Sequence, residues 1–132
     1  MRKVKSQIIH ISTDMFPPGL VLLMAGKDES LYEELLLKLI KVNKEELEDL
    51  KEAYREGEDA DGFVSMQTKG GKWQMIVFTD EKDWKNTLVH ESLHAVEQLC
   101  NYRDIPICKE TEELRAMMLG HIYGEIQSAI KI

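Results

Sequence analysis

Cysteine is scarce in this chain. Cys100 and Cys108 are the only two, too few for a disulfide framework. A single bridge across the short segment between them is open on sequence. Reduced thiols are the simpler expectation, with Cys100 a small core residue on a helix and Cys108 in or near a loop. Positive charge is also in deficit: 17 Lys and Arg against 24 Asp and Glu give a net charge of −7. That balance argues against non-specific nucleic-acid binding and against anionic membrane surfaces, and no basic patch with interleaved aromatics appears. Long hydrophobic runs are missing too. The longest strongly apolar stretch, Gly19 to Gly26, is far too short to span a bilayer. The start, Met1 to Lys5, is basic, but Gln7, His10, Ser12 and Asp14 interrupt any signal-peptide core. The expectation is a cytoplasmic protein with no nucleic-acid or membrane partner. Repeats and low-complexity segments are absent, and 132 residues suffice for one domain, 1–132, with one real core.

What is present is a mixture of short strands and helices. Ser6 to Ser12 reads as a strand, and Phe16-Pro17-Pro18-Gly19 breaks it. Leu20 to Ala25 is apolar throughout, and periodicity alone does not separate strand from buried helix. Ser30 to Val42 reads as a helix capped by Ser30 with Glu33 three positions on; Leu31, Leu35, Leu36, Leu39 and Ile40 form its apolar face. Asn43, with Glu46 as reciprocal partner, caps a second helix running to about Glu56, with Leu47, Leu50 and Tyr54 apolar. Glu56 to Gly62 is acidic but lacks the spacing of a calcium loop, so it reads as a linker. Phe63 to Thr68 and Trp73 to Thr79 form a β-hairpin about the Gly70-Gly71 pair. The second strand is apolar at nearly every position, which predicts cover on both faces. Asn101 to Lys109 is a loop, and Thr111 to Ile130 is the last helix, with Met117, Met118 and Leu119 assigned to the core.

The chemistry concentrates in His90-Glu91-Ser92-Leu93-His94, inside a helix from Trp84 to Cys100 that Asp80 or Asp83 can cap. Only four histidines occur in the chain, and two of them flank a glutamate in helical register. Residues four apart share a helix face, so both imidazoles can reach one zinc ion, and Glu91 beside them can deprotonate a metal-bound water. At about 100° per residue, Asp83, Thr87, His94, Glu97 and Asn101 share a polar arc with His90. Val89, Leu93, Val96 and Cys100 form an apolar stripe, widened by Leu88, Ala95 and Leu99. The plain alternative is a solvated face that happens to carry two histidines.

A catalytic zinc usually has three protein ligands and an open position. Glu112, Glu113 and His121, all on the last helix, are the available donors, although acids at a helix start are also explained by the helix dipole. Eighteen residues separate His94 from Glu113, which is followed by Leu114-Arg115-Ala116. This pattern, HExxH with a later glutamate on a second helix, resembles the gluzincin metallopeptidases and their compact minigluzincin members, mainly over residues 73–125. The resemblance implies His90, His94 and Glu113 as zinc ligands and Glu91 as general base. It also implies an α+β, zincin-like fold: a small mixed or antiparallel sheet whose hairpin packs against the HExxH helix and a C-terminal helix. The strand Trp73 to Thr79 would then border the cleft and align a peptide or protein substrate. No match to the family's outer aspartate is present; Glu112 or Glu97 could steady a histidine's other nitrogen. His121 and Tyr123 are the nearest candidates for a transition-state donor. A non-catalytic or latent zincin-like module that binds metal or a protein partner is the alternative reading.

Overall fold

Two nearly uninterrupted apolar segments become strands covered on both sides. They are β2 (Gly19–Met24) and β4 (Trp73–Phe78), which run parallel at the centre of a four-stranded sheet, paired from Gly19↔Trp73 to Met24↔Phe78. The computed structural model describes residues 4–12, 16–39, 41–66 and 72–131. β1 (Gln7–Ile11) lies antiparallel to β2, and β3 (Gly62–Met66) antiparallel to β4, giving the order β1-β2-β4-β3. Helices α1 (Glu29–Leu39) and α2 (Lys44–Gly57) connect β2 to β3. After β4 come α3 (Trp84–Tyr102), a 3₁₀ turn (Lys109–Thr111) and α4 (Glu112–Ala129). The fold is therefore α+β, with a mixed sheet and four helices. No helix among the described residues is long and apolar enough to cross a membrane.

Alternation along the central strands builds two cores. Val21, Leu23, Met75 and Val77 face α3 and α4, whereas Leu22, Met24, Ile76 and Phe78 face Tyr32, Leu36, Leu50 and Tyr54 of α1 and α2. Each large side chain so buried contributes about 1.5–3 kcal/mol. Gly19 has a packing reason: the Trp73 indole occupies the space a Cβ would need, and its Nε1 donates to the Pro17 carbonyl at 3.0 Å.

Several sequence expectations change. The ambiguous segment after Gly19 is a strand. Strand Trp73 to Thr79 does not offer a backbone edge to a substrate, because β4 is hydrogen-bonded to β2 and β3 on its two sides; the edge strands are β1 and β3. The hairpin pairing is present, from Met66↔Trp73 to Gly62↔Val77, while its turn at Lys69-Gly70-Gly71 lies outside the described residues, as does Ile40. α1 is capped by Asp28, not Ser30: Asp28 Oδ1 accepts from the Ser30 amide at 2.9 Å and the Leu31 amide at 3.4 Å. Glu33 instead pairs with Lys51 at 3.4 Å. Asn43 does cap α2, accepting from the Glu46 amide at 2.8 Å. Met118, Ile122 and Ile126 are buried on α4, but Met117 is 66% exposed. Val89 and Leu93 are each 46% exposed, because the apolar arc of α3 is wider than the surface that covers it. Cys100 is buried, Cys108 half-buried, and both are free thiols.

A polar relay crosses the α1–α2 core. Tyr32 Oη donates to Gln74 Oε1 at 2.6 Å, and Gln74 Nε2 donates to Ser65 Oγ at 3.1 Å. Tyr54 stacks on Tyr32 with ring centroids 4.6 Å apart, yet its buried hydroxyl has no partner within hydrogen-bonding distance among the described residues. Opposite effects are expected from removing the two hydroxyls. Tyr32→Phe orphans the Gln74 carbonyl and should cost about 1–3 kcal/mol in urea unfolding, whereas Tyr54→Phe should be neutral or stabilising. Burial pushes the Tyr54 phenol up to about 12, with Glu58 adding to the rise. The stability tied to its neutral form is complete below the ordinary phenol value of 10.0 and lost as pH rises toward about 12. Alkaline unfolding should therefore set in over that window, and less steeply in Tyr54→Phe.

Candidate metal centre

One side of α3 is fixed by packing, and that fixes what the other side presents. Leu88, Ser92, Ala95 and Leu99 are buried, with the Ser92 hydroxyl satisfied by donating to the Leu88 carbonyl at 2.7 Å. Asp83 occupies the N-cap position without a side-chain cap bond; its carbonyl accepts from the Thr87 amide at 3.1 Å. This orientation leaves His90 exposed and His94 half-buried. Their Nε2 atoms are 3.0 Å apart, with the rings tilted at 80°. Two imidazole nitrogens about 2.0–2.1 Å from a tetrahedral ion would stand about 3.3 Å apart, so the pair already has nearly the spacing that a shared ion requires.

Glu91 follows His90 by one residue, so it turns about 100° around the helix and points at β3. Only 5% of it is exposed. A Cβ on Gly62 would come within 2.8 Å of Thr87 Cγ2, 2.9 Å of the Ile76 carbonyl oxygen and 3.2 Å of Glu91 Cγ. The missing side chain at Gly62 is what lets β3 lie against α3 here. Gln98 ties the same two elements one step further along, donating from Nε2 to the Val64 carbonyl at 3.1 Å. Glu91 Oε2 is buried and has no hydrogen-bond partner among the described residues. Burial raises the Glu91 pKa, opposed by the charges of His94 and then His90.

Donor atoms of His90, Glu91 and His94 all lie within 4.8 Å of one another, a cluster able to hold a metal ion. The donor chemistry fits: two aligned imidazoles, a carboxylate with an unused oxygen, and a solvent-open side. Glu97 Oε2 stands 3.7 Å from His94 Nδ1, on the ring nitrogen that faces away from His90.

Glu113 does not join this group. It is exposed on the first turn of α4, as is Glu112. Arg115, two residues on, is close enough to Cys100 for its charge to act on that thiol. It also donates from Nη2 to the Cys108 carbonyl at 2.8 Å, which ties the first turn of α4 to the corner after α3. His121 is engaged elsewhere: its Nε2 lies 2.8 Å from the Ser12 carbonyl oxygen and 3.8 Å from Glu125. The Tyr123 hydroxyl accepts from Gln127 Nε2 at 2.7 Å. Gly62 and Gln98 were not singled out by the sequence reading, which ended an acidic linker at Gly62. A glycine at the first position of a strand, where backbone approaches another element, was the available signal.

Gly62→Ala should lower stability by about 1–3 kcal/mol, because one obstacle is the Ile76 backbone, which has no rotamer to yield. Urea unfolding measures this; an unchanged midpoint would mean that β3 and α3 separate freely.

Comparison with protein-family models, with curated proteins and with solved structures gives no match. The His90–Glu91–His94 cluster and its capacity for a metal ion thus stand on the geometry of this chain.

Proposed function

We propose that this chain is a zinc-dependent metallopeptidase in a zincin-like arrangement, with His90 and His94 as ligands and Glu91 as general base. The single observation that carries the reading is a buried carboxylate, with one oxygen unpartnered, beside two imidazoles whose Nε2 atoms are 3.0 Å apart. Bound zinc would supply a water of lowered pKa and polarise a substrate carbonyl. Burial makes Glu91 a stronger base than an exposed carboxylate. Its free oxygen can take a proton and return it to a leaving amine. Glu97 can hold the His94 ring through Nδ1.

The strand suited to an extended peptide or protein substrate is β3. Its Val64 carbonyl points off the sheet edge, toward Gln98, and Gly62 brings that edge beside Glu91. Glu113 is the third ligand that the gluzincin resemblance assigns, and it joins the two imidazoles only if its carboxylate leaves the exposed position it holds at the start of α4.

Its position outside the cluster favours a second reading, a latent or non-catalytic metal-binding module. The two readings separate on measurement. About one zinc per chain is expected by elemental analysis, lost in His90→Ala and His94→Ala. Glu91→Gln should keep the zinc and abolish chelator-sensitive cleavage of a peptide library. Glu113→Gln should weaken zinc binding at least ten-fold if Glu113 swings in. Zinc bound with no cleavage by the wild-type chain would leave the module reading; no zinc at all would end both.

A further inference from the structure

A concavity lined by no described residue of α3 lies on the α1–α2 side of the sheet. It is a cavity of about 340 Å³, within the roughly 300–1,000 Å³ typical of small-ligand sites. Leu20, Val42 and Leu50 give it apolar walls at the margin of the α1–α2 core. Lys41, Lys72 and His10 also line it and are exposed. In a chain of net charge −7, that sign is locally reversed. Glu46 is the one carboxylate among the described lining residues, and its Oε1 already accepts from Asn43 Nδ2 at 3.0 Å.

The cavity also holds a fixed polar group. Gln74 is 2% exposed and lines it together with Ser65. Tyr32 donates to its Oε1, which orients the amide so that Nε2 is turned to Ser65. An amide nitrogen carries two hydrogens; Ser65 takes one, and the other has no partner among the described residues. Apolar walls, lysines at the mouth and an oriented inner donor select a particular ligand chemistry.

We propose that this cavity is a binding site for a small amphipathic carboxylate, its head held by Lys41 and Lys72 and its hydrocarbon body against Leu20, Val42 and Leu50. The site is separate from the His90–Glu91–His94 cluster, so it does not depend on the peptidase reading. Octanoate is the probe, with octylamine as the charge-reversed control, titrated by calorimetry into the metal-free full-length chain.

Octanoate should bind one per chain, at least ten-fold tighter than octylamine. The doubly reversed variant Lys41→Glu/Lys72→Glu should weaken octanoate at least ten-fold, and Val42→Trp, which fills the cavity from its rim, should abolish binding. Circular dichroism confirms that each variant is folded. His90→Ala/His94→Ala should bind octanoate as the parent does, since a head group held at the histidines would lose affinity there. No saturable octanoate binding at millimolar concentration overturns the proposal. Equal affinity for octylamine overturns it as well, and that comparison needs no variant.

Discussion

Glu91 is buried where a carboxylate is least comfortable, against a strand that approaches because Gly62 has no side chain. An unpaired charge removed from water costs several kcal/mol, and an orphaned oxygen is not repaid by any bond of its own. The fold bears that cost because the rest of α3 is anchored elsewhere. Leu88, Ala95, Val96 and Leu99 are almost fully buried in the core they share with β2 and β4. The backbone that carries the carboxylate cannot shift toward solvent without uncovering those side chains. A cation between the two imidazoles would be the natural compensation, so metal binding and stability should be linked through this one side chain.

Much of this was legible in the sequence, and the rest failed for definable reasons. The helix of the two histidines, the hairpin pairing of β3 with β4 and the Asn43 cap follow from local rules: i,i+4 spacing, two-residue alternation and a side-chain acceptor before a helix. The start of α1 was misplaced by two residues because Asp28 and Ser30 are both good caps, and only coordinates show which oxygen meets the amides. Met117 belongs to the surface and not to the core, and Val89 and Leu93 of the apolar stripe on α3 are each 46% exposed. Apolar character says that a face can be buried, not that another element is wide enough to cover it.

Glu113 shows a different limit. The number of residues after His94 constrains how far the chain can reach, not where α4 begins. The path from Tyr102 to Glu112 includes a left-handed residue, Asp104 at φ 54°, and a 3₁₀ turn whose start is held by Thr111 Oγ1 accepting from the Cys108 amide at 3.3 Å. Arg115 donates to the Cys108 carbonyl at 2.8 Å and ties the first turn of α4 to the same corner. A ligand motif spanning such a corner depends on turn geometry as much as on the glutamate itself.

The central strands explain how two polar arrangements can coexist in one small chain. Along β4, Trp73, Met75 and Val77 face the α3–α4 core, and the alternate positions Gln74, Ile76 and Phe78 face the other way. Gln74 is tolerated on a buried strand because Tyr32 and Ser65 satisfy it, whereas Glu91 sits beside a free edge with one oxygen unsatisfied. The first arrangement leaves only one Gln74 amide hydrogen without a taker; the second leaves a buried carboxylate oxygen with no partner at all among the described residues. Unmet hydrogen-bonding capacity that packing prevents from reaching water needs something from outside the chain. On this physical ground, the cluster on α3 lacks a partner more acutely than the Tyr32–Gln74–Ser65 relay, even though Glu91 and Gln74 are both buried beside β3 and β4.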